Sequence, residues 1–151
     1  MKKNRIIFVP ALLLALALAT GGCGYITGEA VDFSYQSPVT EQFAADVSVT
    51  EAYAIIAQHA GQHGFTILDV RMPEEFAAGH IQAALNRDYY APDFKDDLGQ
   101  FDKADLYIVY CRTGARSAAA RDIMREMGFQ HIYNMSGGIT DWTAQGFPVV
   151  R

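Results

Sequence analysis

Five apolar residues, Leu106-Tyr107-Ile108-Val109-Tyr110, run straight into Cys111-Arg112-Thr113-Gly114-Ala115-Arg116-Ser117, and a helical pattern opens behind them. No other juncture constrains the chain as much. A short apolar run bounded by a glycine-containing loop reads as a buried strand. Behind the loop, Ala120, Ile123, Met124 and Met127 recur at helical spacing, with Arg121, Asp122, Arg125 and Glu126 on the opposite side. Gly128 supplies the stop. Strand, loop and helix in that order put Cys111 at a strand's carboxyl end, with a helix N-terminus aimed at its sulfur. Free backbone N–H groups and the helix dipole favour a thiolate there, and Arg112 and Arg116 add positive charge. A lone cysteine is often a buried structural residue. A glycine loop between two arginines is a poor setting for that role, so Cys111 reads as a nucleophile in an anion-holding loop.

Two further apolar segments, Phe65 to Val70 and Ile132 to Met135, alternate with helical ones. Shorter strands are expected at Val47 to Val49 and Ala84 to Asn86. Thr50 is expected to cap a helix carrying Ala52, Ile55, Ile56 and Ala60. Pro73-Glu74-Glu75 reads as a first helical turn, with Met72 as a weak N-cap. Strands interleaved with helices predict an α/β fold, a small and mostly parallel sheet covered by helices on both faces. Ligands of such sheets bind outside the carboxyl ends of the strands, where Cys111 lies.

The first residues carry different information. Lys2, Lys3 and Arg5 precede an apolar run from Ile6 to about Ala19, and small residues follow to Cys23. This is the form of a secretory signal peptide, and the run is short for a membrane span. Thr20-Gly21-Gly22-Cys23 resembles the bacterial lipobox, which makes Cys23 a candidate lipidation site; Ala17-Leu18-Ala19 offers an alternative cleavage site of A-x-A form. Residues 24–46 are polar and punctuated by Gly28, Ser34, Ser37 and Pro38, as expected of a tether. Residues 47–151 then form one domain. The expectation is an exported protein of the periplasm or cell envelope, anchored to the membrane by lipid. Without residues 1–23 the chain has nine basic against seventeen acidic residues, a net charge of −8. That balance excludes the clustered basic footprint of a nucleic-acid binder.

The motifs resemble those of the rhodanese family of sulfurtransferases. Asp69-Val70-Arg71, Glu75-Phe76 and Gly79-His80-Ile81 match one signature, and Tyr110 to Ser117 resembles the active-site loop. Gly128-Phe129, Gly137-Gly138-Ile139 to Trp142 and Gly146-Phe147-Pro148-Val149 resemble the C-terminal block. Gln82 and Ala83 stand where the family usually has proline and glycine, which bears on the local turn and not on the chemistry. The resemblance implies that Cys111 takes a sulfane sulfur from thiosulfate or a similar donor. A thiol or cyanide acceptor then removes it, with no cofactor or metal. It also implies that residues 112–117 (Arg112, Thr113, Gly114, Ala115, Arg116 and Ser117) bind the substrate, and that Asp69 and Arg71 support the structure. Either arginine of the loop could hold the donor's sulfonate, or one could brace the loop against Asp69 or a glutamate.

Two other readings compete. Phosphatases and arsenate reductases on this fold use a C-x5-R loop, whereas four residues separate Cys111 from Arg116 here; the tighter ring suits one sulfur atom better than a phosphate. A non-catalytic sulfur-binding or sensor module would typically lack the cysteine that this chain keeps. His59 and His63 have the spacing of a helical metal pair, but lack evident further ligands and read as a solvated face. His80 is expected to be structural, Trp142 a core anchor, and Tyr89, Tyr90, Pro92 and Phe94 part of a variable segment at the pocket rim.

Overall fold

The computed structural model describes residues 43–151. The export segment, Cys23 and nearly all of the expected tether lie outside them. The chain alternates strictly between strand and helix: β1 (Phe43–Val47), α1 (Val49–His59), β2 (Phe65–Asp69), α2 (Pro73–Ala78), β3 (Leu85–Asn86), α3 (Phe94–Leu98), β4 (Leu106–Tyr110), α4 (Ala115–Glu126), β5 (His131–Met135) and α5 (Gly138–Ala144). The strands form one sheet in the order β1-β5-β4-β2-β3, and every pairing is parallel. The expected α/β architecture is therefore the one observed.

Alternation along the strands sorts side chains to the two faces. Leu68 and Val70 from the β2 region, with Tyr107, Val109 and Cys111 from β4, pack against Phe94 and Leu98 of α3 and Ala120 and Met124 of α4. Ile67, Ile108 and Tyr110 face the other way, toward Val49 and Ala52 of α1 and Ile139 and Trp142 of α5. Both faces are covered, as buried parallel sheets require. The chain leaves β2 toward β3 at one edge and leaves β4 toward β5 on the opposite side. The carboxyl ends of β2 and β4 therefore flank a topological switch point, the usual position of a ligand crevice. Asp69 and Cys111 stand at those two ends.

Several local expectations shift. The first strand lies at Phe43–Val47 and not at 47–49, pairing Phe43 with His131 and Val47 with Met135. The carboxylate of Asp46 on this strand is satisfied by Asn134 at 2.8 Å and by Arg121 of α4. The cap of α1 is Ser48, not Thr50: Ser48 Oγ accepts from the Glu51 N–H and Glu51 Oε2 accepts from the Ser48 N–H at 2.8 Å. This reciprocal capping box leaves Thr50 free to bond Gln145. The helix ends at His59, so His63 falls beyond it and the two histidines do not share a helical face. No cluster of metal-ligating side chains occurs among the described residues. Phe94, expected at the pocket rim, is instead a core residue of α3 at 4% exposure.

Candidate active site

β4 delivers Cys111 into the core of the loop. Cys111 continues the strand's alternation and lies beneath α4, with 1% of its surface exposed. Gly114, at φ 100°, turns the chain sharply enough for α4 to start at Ala115. The turn brings the Gly114 N–H to 3.2 Å from Cys111 Sγ. Ser117 Oγ stands 3.5 Å from the same sulfur and 3.0 Å from the Gly114 carbonyl, to which it also donates. Burial pushes the Cys111 thiol up, but the Ser117 hydroxyl and the backbone N–H groups of Ser117, Thr113 and Gly114 outweigh it. The net result is a thiol held below its ordinary pKa. Such a group is a thiolate over more of the neutral range than a free cysteine.

A second loop clamps the first from below. The Ile139 N–H donates to the Cys111 carbonyl at 2.9 Å, while the Thr140 N–H and Oγ1 donate to the Arg112 carbonyl at 3.1 and 2.8 Å. The approach is close enough that position 138 must be glycine. At φ 58°, a Cβ there would lie 2.5 Å from the Cys111 carbonyl oxygen. Thus the N-terminus of α5 fixes the backbone of the very residues that precede the sulfur cradle.

The two arginines of the loop have separate fates. Arg116 turns toward α2 and donates to both carboxylate oxygens of Glu75, at 2.7 and 2.9 Å. This bond holds Glu75 below the usual carboxylate range and raises the Arg116 guanidinium above its own. Glu75 also accepts from the Met72 N–H at 3.1 Å, which compensates for the missing side-chain cap of α2. Tyr90, 65% exposed, stands with its ring 5.8 Å from the Arg116 guanidinium. Arg112 is exposed and holds no ion pair among the described residues.

Asp69 and Arg71 pair at the end of β2, almost wholly buried. Arg71 Nε lies 2.9 and 3.0 Å from the two carboxylate oxygens, and Nη2 reaches Oδ2 at 2.6 Å and the Gly79 carbonyl at 2.8 Å. Burial disfavours the Arg71 charge, but the bonds to Asp69 more than offset it. Asn86 then ties the Asp69 and Arg71 carbonyls together at 3.0 and 2.8 Å. His80 Nδ1 meets the Phe76 carbonyl at 3.1 Å, and its ring stacks on Phe76. Trp142 is buried and donates to the Pro148 carbonyl at 2.9 Å, so it anchors the C-terminal segment.

Cys111, its loop, Asp69 and Arg71 thus gather at the ends of β2 and β4, while Cys23 lies outside the described residues. The sequence places Glu75 in a first helical turn and Gly138 and Thr140 in a C-terminal motif, without showing what they touch. A capping pattern around Met72 pointed to Glu75 as a helix residue, and nothing local showed that it would meet Arg116, 41 positions away.

A family model for the rhodanese-like domain matches residues 48–145. A chloroplast protein of Arabidopsis thaliana, named thiosulfate sulfurtransferase 16, is 33% identical over 114 residues, covering 69% of this chain and 91% of that protein. The thiosulfate sulfurtransferase PspE of Escherichia coli strain K12 is 36% identical over 74 residues, covering 49% of this chain and 70% of that protein. The crystal structure of a rhodanese-related protein from Thermoplasma volcanium superposes with a TM-score of 0.61 at 29% identity, over 70% of this chain and 97% of that one. With its signature loop closed around Cys111 and its match running from β1's end through α5, the chain belongs to the rhodanese family, whose members include thiosulfate sulfurtransferases.

Proposed function

We propose that the protein is a sulfurtransferase working through a persulfide on Cys111. The Cys111 thiolate attacks the outer sulfur of thiosulfate or a similar sulfane donor. The donor's S–S bond breaks, sulfite leaves with the bonding pair, and Cys111 keeps the sulfur as a persulfide. A thiophilic acceptor, cyanide or a thiol, then attacks that terminal sulfur and restores the thiolate. Arg112, exposed and without an ion-pair partner, holds the donor's sulfonate by charge-assisted hydrogen bonds. Arg116 braces the loop, with both terminal nitrogens of its guanidinium bonded to Glu75. The backbone N–H groups of residues 113–117 cradle the anionic sulfur.

The observation that carries this reading is the size and filling of the loop. Its N–H groups converge on one sulfur atom, with Gly114 N at 3.2 Å, and its second arginine is spent on a carboxylate. A phosphatase loop would need that arginine facing the oxyanion, and one residue more in the ring. Thiosulfate:cyanide turnover by the protein and by Cys111→Ser is the test. The wild type should produce thiocyanate and leave an aryl phosphate intact, and the serine variant should produce no thiocyanate. Aryl phosphate hydrolysis without sulfur transfer from any donor would reverse the assignment.

We further propose export to the cell envelope, with lipid attached at Cys23. The basic start, apolar run and small residues before Cys23 support it. Cell fractionation of Cys23→Ala should show release from the membrane or an unprocessed precursor. Normal processing and full membrane attachment in that variant would exclude lipidation at Cys23.

A further inference from the structure

The loop around Cys111 passes directly into the first turn of α4, and that turn carries much of the sulfur's cradle. Ser117 Oγ stands 3.5 Å from Cys111 Sγ, and the Ser117 hydroxyl and N–H are among the groups that favour the thiolate. Yet the turn lacks a common anchor of a helix start. Its N-cap is Gly114, which brings no side-chain cap. Arg116, between Ala115 and Ser117, is the charged side chain of this turn, and it reaches out to two other elements.

The first contact is the pair with Glu75 of α2, at 2.7 and 2.9 Å. The second is Tyr90, on the connection from β3 to α3, whose ring lies 5.8 Å from the guanidinium carbon. That distance is within the range of a cation–π attraction. The Tyr90 ring is 65% exposed, so burial does not hold it in place. Its backbone and its neighbour do. The Tyr89 N–H donates to the Val70 carbonyl at 3.2 Å, the Tyr90 N–H to Asp88 Oδ1 at 3.0 Å, and the Ala91 N–H to the Asp88 carbonyl at 3.1 Å. The Tyr89 ring packs against Phe94 of the core and stands edge-on to Tyr90, with centroids 5.3 Å apart. An exposed aromatic ring is thus held at a fixed point beside Arg116.

We propose that Tyr90 is a positioning residue for Cys111. Its ring and the Glu75 carboxylate together hold the Arg116 guanidinium, and Arg116 in turn fixes the first turn of α4 around the sulfur. Tyr90 acts through Arg116 and not on the reacting atoms. The arrangement uses the electron-rich face of the ring, so an aromatic side chain is required and the hydroxyl is not. An aliphatic side chain would cover much of the same surface without that attraction. This assignment rests on the sulfurtransferase reading above for the reaction that the loop serves.

The test compares Tyr90→Phe and Tyr90→Leu with the wild type, and reads the pH profile of Cys111 alkylation without any sulfur donor. Tyr90→Leu should slow alkylation at neutral pH roughly two- to fivefold, the size of one cation–π contact at an exposed site. Its profile should move to higher pH, and that of Tyr90→Phe should coincide with the wild type. In an Arg116→Met background the exchange of Tyr90 for leucine should have no further effect, because the two residues act as a unit. A profile unmoved in Tyr90→Leu, moved equally in Tyr90→Phe, or moved as far in the Arg116→Met background would overturn the assignment. Sulfur loading from thiosulfate, followed by protein mass, should slow by the same factor in Tyr90→Leu and keep its rate in Tyr90→Phe. Failure of the wild type to load sulfur would overturn the sulfurtransferase reading, and alkylation would still decide the role of Tyr90.

Discussion

At Gly138 the cost of one added methyl group follows from the geometry. The clamp between α5 and the active-site loop brings backbone to backbone, so an added methyl has no flexible neighbour to displace. In Gly138→Ala the new Cβ would meet the Cys111 carbonyl oxygen at 2.5 Å and the Arg112 carbonyl carbon and oxygen at 2.6 Å. Carbon and oxygen in close contact sit about 3.3 Å apart, so the two segments must part by roughly 0.8 Å. That movement weakens three hydrogen bonds, from Ile139 N–H, Thr140 N–H and Thr140 Oγ1. Each contributes about 1 kcal/mol. An alanine at φ 58° adds about 1–2 kcal/mol of its own. Together the loss is about 3–5 kcal/mol, or roughly 15–30 °C in melting temperature for a domain of this size. Gly61→Ala is the control, because Gly61 has φ 73° with nothing within 4 Å of its added Cβ. It should lose about 1 kcal/mol, the backbone cost alone. Thermal unfolding of both variants, with thiosulfate turnover beside it, makes the comparison. Equal melting temperatures for the two, with activity retained in Gly138→Ala, would show that the close approach does not hold the loop.

Ala83 is in the left-handed region at φ 63°, so Ala83→Gly should stabilise the domain by about 0.5–1 kcal/mol, seen as a rise of a few degrees in melting temperature. Ser117→Ala removes a hydroxyl that lowers the Cys111 pKa. The pH profile of Cys111 alkylation should therefore move to higher pH, and an unmoved profile would mean that the backbone N–H groups alone set it. Glu75→Gln breaks the partly buried pair with Arg116 and should cost about 1–2 kcal/mol at neutral pH. Because the Glu75 pKa is depressed in the fold, its stabilisation is complete above the unfolded carboxylate range and is lost as pH falls through the folded value. The gap between wild type and variant in chemical denaturation should accordingly close in acid, and a gap independent of pH would contradict the pairing.

The fold was legible wherever local pattern and burial agree. The apolar run Leu106–Tyr110 is β4 residue for residue, and Ala120, Ile123 and Met124 of the apolar stripe lie in α4, with Met127 its C-cap and Gly128 just beyond at φ 92°. The first strand lies earlier than expected: the charged Asp46 within it is made acceptable by Arg121 and Asn134, partners remote in sequence. Ser48-Val49-Thr50-Glu51 carries the capping box in plain view, and it places the cap two residues before the expected Thr50. The helices α3 and α5 span five and seven residues, too few for a periodic signal. At the site, the chemistry of Cys111 follows from strand, loop and helix in succession. The division of labour between Arg112 and Arg116 does not, because it depends on which of them reaches Glu75. The turn at Ala83 keeps a left-handed conformation with alanine where the family usually has glycine, so the departure seen in the sequence appears as strain in the backbone.

In the proposed reaction Cys111 carries sulfur between two substrates. Intact-protein mass spectrometry after exposure to thiosulfate tests it directly, with peptide mapping to locate any adduct. The account predicts a gain of one sulfur atom on Cys111, its loss on adding cyanide with stoichiometric thiocyanate, and no gain in Cys111→Ser. A protein that turns over sulfane donors with no adduct at Cys111, or gains sulfur equally in the serine variant, would contradict it.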